Sequence, residues 1–462
     1  MSDRQQQTKH PLLTISLLSS GRPETLWRCL DSLRLITDHV PSELIIVDTG
    51  CTPEVLDRMH EYTDQILPFT WCDDFSAARN VGLQAAHGSW FLYLDDDEWF
   101  VEAQPIVDFF LKGEYRHCDS ACYYQRNFHD LEGQTWADAW VERMIDLRLE
   151  PSFADIIHEH LAVKSPAHKG RKLLPAIVEH YGYVYASDEE RQRHYQRNIS
   201  MLQRALAKAP RNLHLVTQLV REYISGPDYD ALLATCDRAL TLIGNRADIQ
   251  AQWDLGYVYH AQITAHSEQQ NRTRFDETLA TALADPRLTD YYAADLCLCA
   301  AMYYYPLGDY ENCRQMCRRY LEIYARIGKD TDAQFEQGSA YLGGIFDADH
   351  RNAASTFAMI SGLKEDSDAE LAQYAHQLSR EDPLHTTNAR HLLPALTAWF
   401  SAHPVRPEHR PLLDYVTAYT APLLSEARRY YTARAFEGDM EYLPEEIREA
   451  AMFERTIRDL AG

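Results

Sequence analysis

Four consecutive acids, Asp95, Asp96, Asp97 and Glu98, follow the apolar run Trp90-Phe91-Leu92-Tyr93-Leu94 and precede Trp99-Phe100. Carboxylates this close repel one another, and they stay ionised together only where a cation or many donors share the site. Hard oxygen ligands suit Mg²⁺ or Mn²⁺, above all where a bound phosphate completes the coordination. The competing reading is a solvated acidic turn, the usual fate of a charge run. Aromatic residues on both sides favour the first. Asp48, after Leu44-Ile45-Ile46-Val47, is a second strand-end acid. Arg79 is placed to contact phosphates or to pin the acids, or else to form an ion pair with Asp73 or Asp74.

The elements that would position these groups are legible as alternating strands and helices. Apolar runs predict strands over 12–18, 44–47 and 90–94, with a weaker one over 65–69. Leu26, Leu30 and Leu33 share a helical face over 24–35. Thr52-Pro53-Glu54 is a helix start, with Pro at the first helical position. A further helix opens in 71–82 and ends near Gly88. Strands alternating with helices imply a mainly parallel sheet covered on both faces. Ligands bind such sheets outside the carboxyl ends of the strands, so Asp48 and Asp95 to Asp97 should share one crevice.

Composition narrows the function. The chain has 462 residues and a formal charge of −24, which disfavours nucleic-acid binding. No apolar run reaches the length of a membrane span and the first residues are polar, so a cytoplasmic protein with ten reduced cysteines is expected. The pairs Cys313/Cys317 and Cys297/Cys299 match no standard zinc spacing.

The ordered set Ser16-Leu17-Leu18…Arg22, Val47-Asp48-Thr49-Gly50, Ala78-Arg79-Asn80-Val81-Gly82 and Leu94-Asp95-Asp96-Asp97-Glu98 resembles family 2 glycosyltransferases of the GT-A fold over about the first 185 residues. The resemblance implies an α/β, Rossmann-like domain that binds a nucleotide-sugar, a UDP-sugar by preference, through Ser19, Arg22, Asp48, Arg79, Asp95 and Asp96. It implies that Asp97 ligates Mn²⁺ or Mg²⁺. Ile157-His158-Glu159 matches an element in members with helical repeats, where His158 would approach the metal or diphosphate; period-two alternation puts His160 on the same face. An inverting transfer needs a general base, and Asp138 and Glu142 are the candidates, with Asp138 preferred beside Trp136 and Trp140.

Strand signals vanish after 180–183. Tyr195, Ile199, Leu202 and Leu206 show helical spacing, and Trp253-x-Leu255-Gly256-x-x-Tyr259 and Leu307-Gly308-Asp309-Tyr310 resemble irregular tetratricopeptide repeats. Three segments are expected: a GT-A domain over 1–185, a repeat-like helical domain over 186–411, and a cap or homodimerisation segment over 412–462. Stacked helix pairs suit extended peptides. The whole is similar to bacterial peptide glycosyltransferases, with a peptide or protein acceptor expected; enzymes of cell-surface glycan synthesis and a non-catalytic peptide-binding scaffold are the alternatives.

Overall fold

The computed structural model describes residues 10–128, 136–165, 169–182, 187–339, 342–374, 386–430 and 445–461, together with 130, 133 and 184. It divides into two compact units, residues 1–261 with 338–344, and residues 262–337 with 345–462. The last strand of the first unit ends at His180 and the next helix begins at Asp188.

The first unit is built on β1 (Leu13–Ser19), buried along its whole length because it lies between two partners. It pairs in parallel with β2 (Ser42–Asp48) and β4 (Trp90–Asp95), and β2 pairs in parallel with β3 (Ile66–Pro68). The remaining strands are β5 (Glu98–Glu102), β6 (Ser120–Phe128), β7 (Trp136–Asp146) and β10 (Arg171–His180). The sheet order is β3-β2-β1-β4-β7-β6-β10-β5. Four of the seven pairings are parallel, so the expected parallel character holds while β7 and β5 run against their neighbours. A separate hairpin, β8 (Pro151–Ala154) with β9 (His160–Val163), completes the strands.

Helices α1 (Pro23–Ser32) and α2 (Arg34–His39) replace the single helix expected over 24–35 and bury Leu26, Leu30 and Ile36 against the sheet. Then come α3 (Pro53–Met59), α4 (Phe75–Gln84) and α5 (Gln104–Leu111). Helix α4 starts later than the sequence suggests because Asp74 caps it, accepting from Ala77 N–H at 2.9 Å. The main departure lies at the acids. The chain turns at Asp96 and Asp97 straight into β5, so Glu98 is an inward strand residue with no exposed surface.

Four helices follow β10: α6 (Asp188–Lys208), α7 (Leu213–Ile224), α8 (Tyr229–Ile243) and α9 (Ile249–Glu268). In α6, Ile199, Leu202 and Leu206 are buried at the anticipated spacing. Asn212 and Asp228 cap α7 and α8 through their side chains, as short polar residues do at helix starts.

The second unit packs α10 (Arg272–Ala284) on α11 (Asp290–Tyr304), and α11 on α12 (Tyr310–Ile327). Tyr291, Tyr292 and Tyr304 are core residues of this unit. Cys297, Cys313 and Cys317 are buried free thiols. Among the described residues no helix is long and apolar enough to cross a membrane.

Gly88, just before β4, donates its N–H to Thr14 Oγ1 at 2.9 Å. A Cβ there would lie 2.6 Å from Thr14 N and 2.9 Å from Leu13 C, both backbone atoms of the central strand. Gly88→Ala should therefore lower the urea midpoint of the first unit by the equivalent of ~2 kcal/mol, whereas Gly170→Ala, with nothing within 4 Å of the added carbon but a φ of +82°, should lose only ~1 kcal/mol.

Candidate functional site

Strand register brings the chemistry-bearing residues to one edge. Ser19 lies opposite Asp48, and Leu18 opposite Asp95, because β2 and β4 flank β1 in parallel. Asp48 Oδ1 accepts from the N–H groups of Gly50 (2.9 Å) and Cys51 (2.7 Å). Burial pushes this carboxyl up, but the two N–H groups outweigh it and hold it below its ordinary value.

The four acids are held by groups from five other elements. Asp96, almost fully buried, accepts from Ser19 Oγ (2.7 Å), Ser20 N–H (3.3 Å) and Arg22 Nε (2.9 Å). Burial nevertheless outweighs Arg22 and raises it. Asp97 Oδ2 accepts from Arg22 Nη1 at 2.9 Å. Asp95 takes Arg79 Nη2 at 2.6 Å on one oxygen and Arg143 Nη2 at 3.4 Å on the other. Glu98 accepts from Arg143 Nη2 at 2.9 Å, from Gln125 Nε2, and from Asp95 N–H at 3.2 Å. Burial raises its carboxyl despite Arg143.

Arg79 also donates through Nε to Glu159 and lies over the Tyr93 ring at 5.0 Å. It thus pins the acid cluster. The alternative partners do not meet it: Asp74 caps α4 and Asp73 pairs with Arg204 at 3.1 Å. The neighbouring motif residue Asn80 clamps β8, with Nδ2 donating to Phe153 O and Oδ1 accepting from Phe153 N–H, both at 2.9 Å. Gly82 lets α4 approach β1, since a Cβ there would meet Ser16 Oγ at 2.3 Å.

Formally, five carboxylates (Asp95, Asp96, Asp97, Glu98, Glu159) face three guanidiniums (Arg22, Arg79, Arg143), an excess of two negative charges. Of the eight oxygens on the four consecutive acids, Asp97 Oδ1 alone is buried with no hydrogen-bond partner. The group facing it is His180 Nε2, at 3.8 Å. Asn127 Oδ1 lies 2.7 Å from His180 Nδ1 and orients the ring, with Nε2 on the side of Asp97. Two donors on an ion at about 2.1 Å each span such a gap. Gly182 keeps the space open: a Cβ would lie 2.3 Å from His180 Nε2 and 3.0 Å from Asp97 Oδ2. A divalent cation therefore fits this chain at Asp97 and His180.

The other sequence candidates lie elsewhere. His158 is in a bend with φ +51°, not on a strand, so the alternation that would align it with His160 does not apply. Its Nε2 is 2.7 Å from Glu222 Oε1 on α7. Asp138 is held by the Arg126 fork (3.0 and 3.1 Å), and Glu142 by that of Arg171 (3.0 Å twice). Asp138 and Arg126 are partly exposed, and Arg126 lies 5.1 Å over the half-exposed Trp136. Trp140 is buried against Tyr124. Arg143, His180, Asn127 and Glu98 were not among the sequence candidates. His180 reaches Glu98 and Asn127 only through β10 pairing, and the inward aim of Arg143 depends on a register shift that interrupts the simple alternation of β7.

Residues 19–160 match the family model for glycosyl transferase family 2. The chain thus carries a glycosyltransferase domain. A TPR repeat-containing protein of Synechococcus elongatus is 40% identical over 86 residues, 19% of this chain, and the chain covers 20% of that relative's length. Among solved structures, S. aureus TarS 1–349 overlays with a TM-score of 0.29 at 11% identity, covering 69% of this chain and 92% of that one. A mannosyltransferase from Pyrobaculum calidifontis, solved with GDP-Man and Mn²⁺, overlays with a TM-score of 0.29 at 13% identity, covering 61% and 83%.

Removing the central cation should expose how much the cluster leans on it. Arg143→Met leaves Asp95 and Glu98 short of a buried partner, and a loss of about 3–5 kcal/mol in urea unfolding is expected, partly restored by adding Glu98→Gln. The Asp95 carboxyl is pushed up by burial but held well below its ordinary value of 3.8 by Arg79 and Arg143. Its stabilisation is complete above that value and lost as pH falls toward the depressed one. The difference in urea midpoint between the native chain and Asp95→Asn should be flat from ~pH 5 to ~pH 7 and shrink below ~pH 4.

Proposed function

We propose that the N-terminal domain transfers a sugar, with inversion, from a nucleotide-sugar to a side chain of a peptide or protein, in a reaction dependent on Mn²⁺ or Mg²⁺. The observation that carries this reading is the orphaned Asp97 Oδ1 facing His180 Nε2 in a cluster with two uncompensated negative charges. When bound, the metal supplies Lewis-acid neutralisation of the charge that builds on the departing diphosphate. Asp97 and His180 would hold it; His158 is engaged with Glu222.

The chain's own groups do the rest. Asp48 and Asp95 line the strand ends where nucleoside hydroxyls and base are bound, with a UDP-sugar as the favoured donor. Arg22 holds Asp96 and Asp97, yet half of its side chain is exposed, and that exposed part is the donor for phosphate oxygens. Asp138 is the proposed base that takes the acceptor's proton, and the Arg126 fork orients its carboxylate. Glu142 is the second candidate for that role. The helical segment after β10 favours a polypeptide acceptor over a cell-surface glycan, because stacked helix pairs bind extended chains. A cytoplasmic setting, the segment boundaries at 185 and 411, and homodimerisation through 412–462 belong to the same proposal.

The test is nucleoside diphosphate release from a panel of UDP- and GDP-sugars with Mn²⁺, run with peptide and glycan acceptor pools. Release from one donor is expected, with Asp97→Asn slower by at least about 100-fold. Gly182→Ala, which fills the space between His180 and Asp97, should raise the Mn²⁺ concentration needed for half-maximal rate. Turnover of no donor, or an Asp97→Asn rate equal to that of the native chain, would refute the reading.

A further inference from the structure

Two histidines and a carboxylate meet outside the acid cluster. Asp155 follows β8 in the left-handed region, with φ +70°, which swings its carboxylate between the start of β9 and the first turn of α7. Its Oδ2 lies 3.3 Å from Nδ1 of His160 and 3.7 Å from Nε2 of His214. The two imidazole centroids are 4.8 Å apart, and the three ligand atoms all lie within 4.8 Å of one another. Donors bound tetrahedrally at about 2.0–2.1 Å sit roughly 3.3–3.4 Å apart, so two edges of that figure are nearly formed. The third closes by rotation of His160, whose side chain is 48% exposed.

The surroundings agree with a ligand at this point. His214 Nε2 is shared among long contacts only: the His158 carbonyl at 3.4 Å, Gln218 Nε2 at 3.4 Å and Asp155 at 3.7 Å. None is near the 2.9–3.0 Å of a well-made hydrogen bond. Gln218 is buried, and its Oε1 has no hydrogen-bond partner. Turning that amide over places the unsatisfied oxygen where Nε2 now approaches His214, adding an oxygen to the set. On the outer side, Asn212 Nδ2 lies 3.5 Å from the other Asp155 oxygen and orients the carboxylate.

We propose that Asp155, His160 and His214 form a second metal site, selective for a Zn²⁺-like borderline cation and open to solvent beside His160. It shares no residue with the acid cluster and does not rest on the sugar-transfer reading. Its ligands come from the β8–β9 hairpin and from α7, so occupancy ties those elements together. The loop they enclose carries Glu159, which holds Arg79 on Asp95, so the ion would stiffen one wall of the acid cluster from a distance.

The test uses the full chain, stripped with a chelator and titrated with Co²⁺ while visible d–d absorption is followed. A tetrahedral spectrum at one equivalent, displaced by Zn²⁺ and retained in Asp97→Asn, is expected. His160→Ala, at an exposed position compatible with folding, should weaken binding at least ~100-fold, and His160→Cys should keep it with an added thiolate charge-transfer band. Zn²⁺ should raise Tm of the native chain by ~3 °C and leave that of His160→Ala unchanged. A native chain without a tetrahedral spectrum would overturn the proposal and leave the trio a hydrogen-bonded cluster. So would a spectrum unchanged in both His160→Ala and Asp155→Ala.

Discussion

Burying Asp96, Asp97 and Glu98 beside the half-buried Asp95 at the edge of one sheet is the constraint on which this domain depends. An isolated buried carboxylate is expensive by several kcal/mol, and four in succession add mutual repulsion. The chain answers with arginines from three separate places: Arg22 at the start of α1, Arg79 within α4 and Arg143 on β7. Each reaches the acids only if its element is docked. The charges therefore tie α1, α4 and β7 to the β4–β5 turn as firmly as apolar packing does, and they do so directionally.

That dependence extends outward in steps. Arg79 is itself held by Glu159, which sits between β8 and β9, and β8 is clamped to α4 by the two hydrogen bonds of Asn80. Phe75 N–H also donates to Ile156 O at 2.9 Å, fixing the same loop to the start of α4. His158 and His214 connect this loop onward to α7. A change at the hairpin is thus felt at Asp95 through a chain of polar contacts with little slack.

Much of the fold is legible in the sequence because period and punctuation are local signals. The strands over 44–47 and 90–94 are apolar throughout, that over 12–18 is apolar but for Thr14 and Ser16, and all three appear within a residue or two of the expected bounds. Asp48 and Asp95 lie at the same edge of the sheet because parallel strands align their carboxyl ends. The far half of the site is not local. His180 and Asn127 sit opposite each other only through the β10–β6 register, and Arg143 faces inward only because a bulge interrupts β7. His158 shows the opposite failure. Its motif is conspicuous, but a left-handed backbone at 155 and 158 turns it toward α7, and no spacing rule encodes that turn.

Adjacent acids in one motif end up with unequal chemistry, and the hydrogen bonds decide the division. Asp95 has an arginine on each oxygen, and Asp96 has Arg22 on one and Ser19 on the other. Glu98 is saturated by Arg143, Gln125 and a backbone N–H. These three are anchors: taking any of them as a ligand would mean breaking a buried charge pair. Asp97 gives one oxygen to Arg22 and keeps the other without a hydrogen-bond partner beside a histidine whose ring Asn127 orients. Its neighbours must be neutralised by protein for that oxygen to stay available to something else. The run of four acids therefore divides into three anchored carboxylates and one, Asp97, that keeps a buried oxygen without a hydrogen-bond partner.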